Sequence, residues 1–161
     1  MKLLRCGNKG SEKPAALDKN GKIKDLSSHI SDLNTKNINF ETLSKLQKID
    51  LGTLPEISSS TRIGPCISQP GKFIGIGLNY SDHAAESGAK PPSEPIVFMK
   101  ATSCIIGPND DVIIHKNSKK TDWEVEIAFV IGKETKHITE KEAPNHIFGY
   151  CMVNDVSERE W

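Results

Sequence analysis

Two glutamates, Glu124 and Glu126, stand two residues apart in the segment KTDWEVEIAFVIGK. The alternation of Trp123, Val125, Ile127, Phe129 and Ile131 predicts a strand half-buried through that face. Residues at i and i+2 of a strand leave from one side. Both carboxylates therefore project together from the opposite face, which turns apolar at Ala128 and Val130. Like charges so placed repel, and burying them unpaired is costly or forces protonation. A divalent cation relieves both difficulties, and all-oxygen ligation favours magnesium, manganese or calcium over zinc. Two carboxylates are too few to fix an ion; Asp155, at the end of GYCMVND, is the candidate third. Two solvated glutamates at a wet strand end are the commoner origin of a Glu-x-Glu pattern, so the motif alone leaves both readings open.

A second cluster lies in NYSDHAAES. His83 and Glu86 are three apart, neighbours on a helical turn. A carboxylate beside an imidazole fixes its tautomer and raises its basicity, as a general base requires. An exposed His-Glu pair at a helix start is the plainer alternative. The preceding Gly75-Ile76-Gly77 is not a dinucleotide fingerprint, because Tyr80 stands where the third glycine belongs. Lys100, ending the run IVFMK, and Arg159, four residues beyond Asp155, are candidate anion contacts or solvent-facing cations. His29, His115, His137 and His146 are assigned no role.

The elements that must position these residues are mostly strands. Residues 1 to about 30 predict a small β-meander, with Asn20-Gly21 as a hairpin turn. FETLSKLQKI predicts one short helix from Leu43 and Leu46. A linker rich in Ser, Pro and Gly then ends near Gln69. Beyond it, KFIGIGLN predicts a buried strand, and YSDHAAESG a short helix capped by Gly88. IVFM, VIIH, the Glu-x-Glu segment and FGYCMVND predict further strands, with a short helical stretch near TEKEAPNHI. SERE, from Ser157 to Glu160, has the spacing of a capping box and predicts a helix starting there and running to Trp161.

The chain has 161 residues, 36% hydrophobic and 26% charged, within the range of globular proteins. Lys plus Arg equals Asp plus Glu at 21 each, which argues against a sequence-independent grip on nucleic acid. No basic amphipathic stretch points to a membrane surface, and the apolar runs are far below membrane-spanning length. The N-terminal apolar run is too short for a signal peptide. The four cysteines lack Cys-x-x-Cys spacing and read as buried, reduced thiols of a cytoplasmic protein.

Taken in order, GKFIGIGLNYSDHAAESG, EPIVFMKATSCIIGPNDDVII, KTDWEVEIAFVIGK and GYCMVNDVSERE closely resemble the fumarylacetoacetate hydrolase family. The resemblance covers roughly residues 64–161, and the leading residues look like the small N-terminal domain of bacterial members. It implies a mostly β protein with short helices (α+β): a small N-terminal β-meander domain over 1–65, then an incomplete mixed β-roll over 70–161. It implies a magnesium or manganese enzyme acting on a small-molecule carboxylate. Substrates would be 2-oxo acids, diketo acids or ureidoglycolate. Hydrolysis, lyase chemistry, isomerisation and decarboxylation share the same metal-stabilised oxyanion.

By the resemblance, the metal ligands fall on Glu124, Glu126 and Asp155, the His-Glu dyad on His83 and Glu86, and a substrate-contacting arginine on Arg159. Lys100 is assigned to substrate binding more loosely. Family members run well past this length and are commonly homodimers. The expectation is therefore that the C-terminal half of the catalytic domain is missing and that this chain has little activity. The competing reading is a non-catalytic, β-rich fragment or interaction module that keeps the front of the fold.

Overall fold

The computed structural model describes residues 1–86, 88 and 90–160. The chain opens with an antiparallel sheet in the order β1 (Lys2–Cys6), β2 (Lys13–Leu17), β3 (Ile23–Asp25) and β4 (Glu56–Ile57). The β2–β3 turn closes on Asp18, whose Oδ1 accepts from the amides of Asn20 (2.8 Å) and Lys22 (2.9 Å). Gly21 takes φ +78° there, a left-handed conformation that glycine adopts without steric cost. Helix α1 (Phe40–Leu46) follows, capped by Asn39, whose Oδ1 accepts from the Thr42 amide at 2.8 Å.

The core lies on the two sides of this sheet. Leu4, Cys6, Ala15 and Ile23 are buried together on one side; Ala16, Leu26 and Leu46 gather on the other, the last supplied by α1. Leu26, Leu33 and Leu46 are the largest apolar side chains buried almost completely.

The rest of the chain forms two-stranded ribbons. β5 (Phe73–Gly77) pairs antiparallel with β6 (Ile96–Lys100), separated in sequence by α2 (Ser81–Glu86). Gly75 faces Phe98, and a Cβ on it would sit 2.3 Å from the ring, so the aromatic lies where only a glycine leaves room. β7 (Thr121–Asp122), β8 (Val125–Ile131), β9 (Ile147–Asn154) and β10 (Ser157–Glu158) complete the order. β8 pairs with β9, with a bulge at Val130/Ile131, and β7 pairs with β10.

Ion pairs and close backbone approach tie the ribbons to the first sheet. Arg62 bonds Asp110 at 2.5 Å and Glu12 at 2.8 Å, and Gly107 packs against the carbonyl of Ile63. Buried Gly132, just past β8, lies against Phe148 and the ring of Phe40 on α1.

Several expectations are corrected. The face of β8 carrying Trp123, Val125, Ile127, Phe129 and Ile131 is not half-buried but outward: Trp123 is 71% and Ile127 63% exposed. The inner face is the one that carries the glutamates, Ala128 and Val130. KFIGIGLN is not a buried strand, since Ile74 and Ile76 of β5 are exposed. VIIH forms no strand, and its Ile113 is almost wholly exposed.

SERE is not a helix. Ser157 and Glu158 pair with Asp122 and Thr121, and the Glu158 carboxylate accepts from the Lys120 amide and the Thr121 hydroxyl, each at 3.0 Å. Glu160, which a capping box would turn back on its own helix, instead pairs with the Lys120 ammonium at 2.9 Å. Trp161, to which that helix would run, lies outside the described residues, as do Ser87 and Ala89. Of the four cysteines, only Cys6 is buried; Cys66 and Cys151 are half-buried and Cys104 exposed, and all are free thiols.

Candidate active site

Glu124 precedes β8 and Asp155 follows β9, and the ladder brings them opposite each other. The Asp155 amide donates to the Glu124 carbonyl at 2.8 Å, and the Glu124 amide to Asn154 Oδ1 at 3.1 Å. Glu126, two residues on, pairs with Val153. Because β8 and β9 alternate in step, Glu124, Glu126 and Asp155 share the inner, half-buried face.

Two of the three carboxylates have cationic partners. Lys100, ending β6, donates its ammonium to Asp155 Oδ1, and both side chains are largely covered. Arg159, beyond β10, donates to Glu124 Oε1 and to Asp122 Oδ2, the latter through Nη2 at 2.9 Å and Nε at 3.1 Å. The guanidinium holds Asp122 below the usual carboxylate range, and the two acids raise the basicity of Arg159. Glu126 is pushed the other way: burial, then the charges of Glu124 and Asp155, raise its pKa, and only the positive form of His83 opposes them. Glu124 and Asp155 thus act on Glu126 across a partly desolvated space.

His83 lies half-buried on α2, and its charge is felt by both Glu126 and Asp122. His83, on a different element, therefore lies within electrostatic reach of the carboxylate face. Glu86 sits one turn later on α2 and is exposed; among the described residues no hydrogen bond or ion pair joins it to His83. Among the described residues, no three His, Cys, Asp or Glu side chains converge tightly enough to hold a metal ion. The donor types are those of a hard cation, but Lys100 and Arg159 stand on two of them.

Two surface depressions lie elsewhere. One of about 470 Å³ is bounded by Met1, Lys2, Leu17 and Asp18, and one of about 220 Å³ by the 112–115 segment and β10. Neither is lined by the carboxylates. Asp122 escaped the sequence reading because its partner is 37 residues away, with no local spacing to announce it. The Lys100–Asp155 pair, 55 residues apart, escaped for the same reason.

Comparison with known proteins adds an independent line. Residues 72–161 match the model for the C-terminal domain of fumarylacetoacetate (FAA) hydrolase. Over all 161 residues the chain is 56% identical to a Burkholderia ambifaria protein that carries only the provisional name of a hydrolase. It spans 57% of that relative's length.

Among solved structures, a fumarylacetoacetate hydrolase from the psychrophile Exiguobacterium antarcticum superposes with a TM-score of 0.81 at 28% identity, over 99% of this chain and 57% of that one. A maleylpyruvate hydrolase from a Sphingobium species, in complex with manganese(II) and pyruvate, has the same fold. Its TM-score is 0.79 at 21% identity, over 100% of this chain and 60% of that one.

Proposed function

The chain belongs to the fumarylacetoacetate hydrolase family, and from that premise we propose that it carries the metal-binding front of an enzyme that cleaves or rearranges a 2-oxo acid, a diketo acid or a ureidoglycolate-type carboxylate. The observation that carries this reading is the placement of Glu124, Glu126 and Asp155 on one inner face across β8 and β9, within electrostatic reach of His83. Three carboxylates are an all-oxygen donor set suited to Mg2+ or Mn2+. The manganese-bound hydrolase of similar fold supports a divalent ion in this architecture.

Ligation would require Asp155 to release Lys100 and Glu124 to release Arg159. Those two cations would then turn to the carboxylate of the substrate, Arg159 with its planar fork and Lys100 as a point charge. A divalent ion, when bound, supplies a Lewis acid for the oxygen on which charge develops. The chain's own residues do the rest. His83 moves a proton at its imidazole nitrogen, with Glu86 on the same helix as the group that would orient it. Arg159 and Lys100 bind and align the substrate carboxylate.

The division of labour along the chain follows. Residues 1–65 form a small leading unit around the two buried clusters, and 70–161 form the front of the catalytic part, where the family match lies. Activity belongs to a form in which the outer apolar faces are covered, whether by further polypeptide or by a second copy, and the 161 residues alone turn over substrate weakly at most. A second reading, a β-rich interaction module without catalysis, is favoured by those same faces: Val97, Met99, Tyr150 and Met152 are all more than 60% exposed.

The two readings are separated with Mn2+ and pyruvate, as a 2-oxo acid probe, by water-proton relaxation. The enzyme reading expects a protein-bound Mn2+ signal that pyruvate changes, and no such signal in Glu126→Ala. Mn2+ left free in both proteins would favour the interaction module.

A further inference from the structure

Two cysteines that the proposed chemistry does not use meet at the junction between the first sheet and the ribbons. Cys66 lies in the linker, between residues held by the N-terminal part. The Pro65 carbonyl accepts from Arg5 Nη1 at 3.3 Å, and the Ser68 amide donates to the Leu33 carbonyl at 2.7 Å. Arg5 is itself clamped to Asp32 at 2.6 Å. Cys151 lies on β9, paired with Ala128, on the inner face four residues before Asp155. The Cys66 thiol hydrogen-bonds the Cys151 sulfur, so two separately anchored segments bring their sulfurs into contact. Both are half-buried and therefore within reach of a small reagent, and neither is bonded to the other covalently.

We propose that Cys66 and Cys151 form a redox-active dithiol, which a low-molecular-weight disulfide such as glutathione disulfide converts to an intramolecular disulfide tethering the linker to β9. Cys151 is the attacking thiol. The Cys66 hydrogen bond stabilises its thiolate and lowers its pKa, whereas the same bond and burial push Cys66 upward. Cys151 is therefore the more readily ionised thiol of the two, and the better nucleophile.

The Cys151 thiolate attacks one sulfur of the reagent, forming a mixed disulfide and expelling one glutathione thiolate. Cys66 then loses its proton and attacks the Cys151 sulfur, expelling the second glutathione. Two protein thiols are oxidised by two electrons, and one reagent disulfide is reduced to two thiols. Cys6, buried with its pKa raised by burial, is the poorest competitor. The disulfide would close a long loop and lock β9, the strand that ends at the candidate ligand Asp155, to the Arg5–Asp32 clamp. The inference is independent of what the carboxylate face binds.

The test incubates the 161-residue chain with glutathione disulfide, blocks remaining thiols, and maps linked peptides by mass spectrometry. The expected product has lost two hydrogen atoms and carries the Cys66–Cys151 link, roughly tenfold or more in excess of any other pairing. Its melting midpoint should rise by several degrees. Cys66→Ala should instead leave Cys151 as a persistent glutathione adduct. A persistent Cys151 adduct in the unsubstituted chain, a different dominant pairing, or the same pairing distribution in denaturant as in native buffer would each overturn the proposal.

Discussion

Replacing Lys100 by methionine separates the two tasks that the carboxylate face asks of its cations. The ammonium is the charge partner of Asp155, and the two side chains are only 23% and 12% exposed, so the pair is shielded from the screening that weakens surface ion pairs. A charge-assisted hydrogen bond of this kind contributes about 1.5–3 kcal/mol. Lys100→Met keeps most of the aliphatic stem and leaves Asp155 beside Glu124 and Glu126 with one cation fewer. In chelator the variant should therefore unfold with about 1.5–3 kcal/mol less stability, a drop of roughly 3–12 °C in melting midpoint for a chain of this size.

The same change removes the competitor that a metal ion must displace from Asp155. Mn2+ should bind Lys100→Met roughly ten- to a hundredfold more tightly than the unsubstituted chain, since about 1.4 kcal/mol corresponds to a factor of ten. Circular-dichroism melts in chelator and calorimetric Mn2+ titrations read the two effects separately. A variant that melts like the unsubstituted chain and binds Mn2+ no better would refute the idea that Lys100 and a cation compete for one carboxylate.

Other consequences follow from packing and charge. Leu26 is fully buried, so Leu26→Ala should cost about 2–5 kcal/mol by chemical denaturation. Phe129 is 57% exposed, so Phe129→Ala should cost at most about 2 kcal/mol; a larger loss would show that the outer face of β8 is covered in solution. Gly107→Ala would place a Cβ 2.4 Å from the Ile63 carbonyl oxygen, and should destabilise by about 1–3 kcal/mol or more, read as a lower melting midpoint. The Arg62 guanidinium holds the Asp110 carboxyl down at a pKa of about 2, below the usual carboxylate range. That contribution is present above about pH 4 and is lost as the pH falls toward 2. Asp110→Asn should be less stable at neutral pH and show a shallower acid transition; an unchanged profile would mean that the pair contributes nothing.

What the sequence announces locally, the structure largely contains. The Leu43 and Leu46 spacing marks α1, Asn20-Gly21 marks the β2–β3 turn, and Gly88, with φ +68°, closes the α2 region. The shared face of Glu124 and Glu126 follows from strand periodicity alone. What it does not announce is long-range. Periodicity shows that the two faces of β8 differ, but not which one meets other elements, and the apolar face turned out to be the outer one. The Ser157–Glu160 box has the chemistry of a helix start, yet Ser157 and Glu158 pair with β7 instead, at a separation of more than 30 residues. Lys100 on Asp155, Arg159 on Asp122 and Cys66 on Cys151 are likewise pairings of distant segments that no local spacing encodes.

The central claim is that Glu124, Glu126 and Asp155 form a divalent-cation site, and the most direct test is a thermal melt of the 161-residue chain with and without Mn2+. An ion that binds only the folded state raises stability by mass action, about 2.7 kcal/mol at a hundredfold excess over Kd. The account predicts a cooperative transition that moves to higher temperature with Mn2+, and a Glu126→Ala variant whose midpoint ignores the ion. A midpoint indifferent to Mn2+ in the unsubstituted chain, or an equal shift in Glu126→Ala, would contradict it.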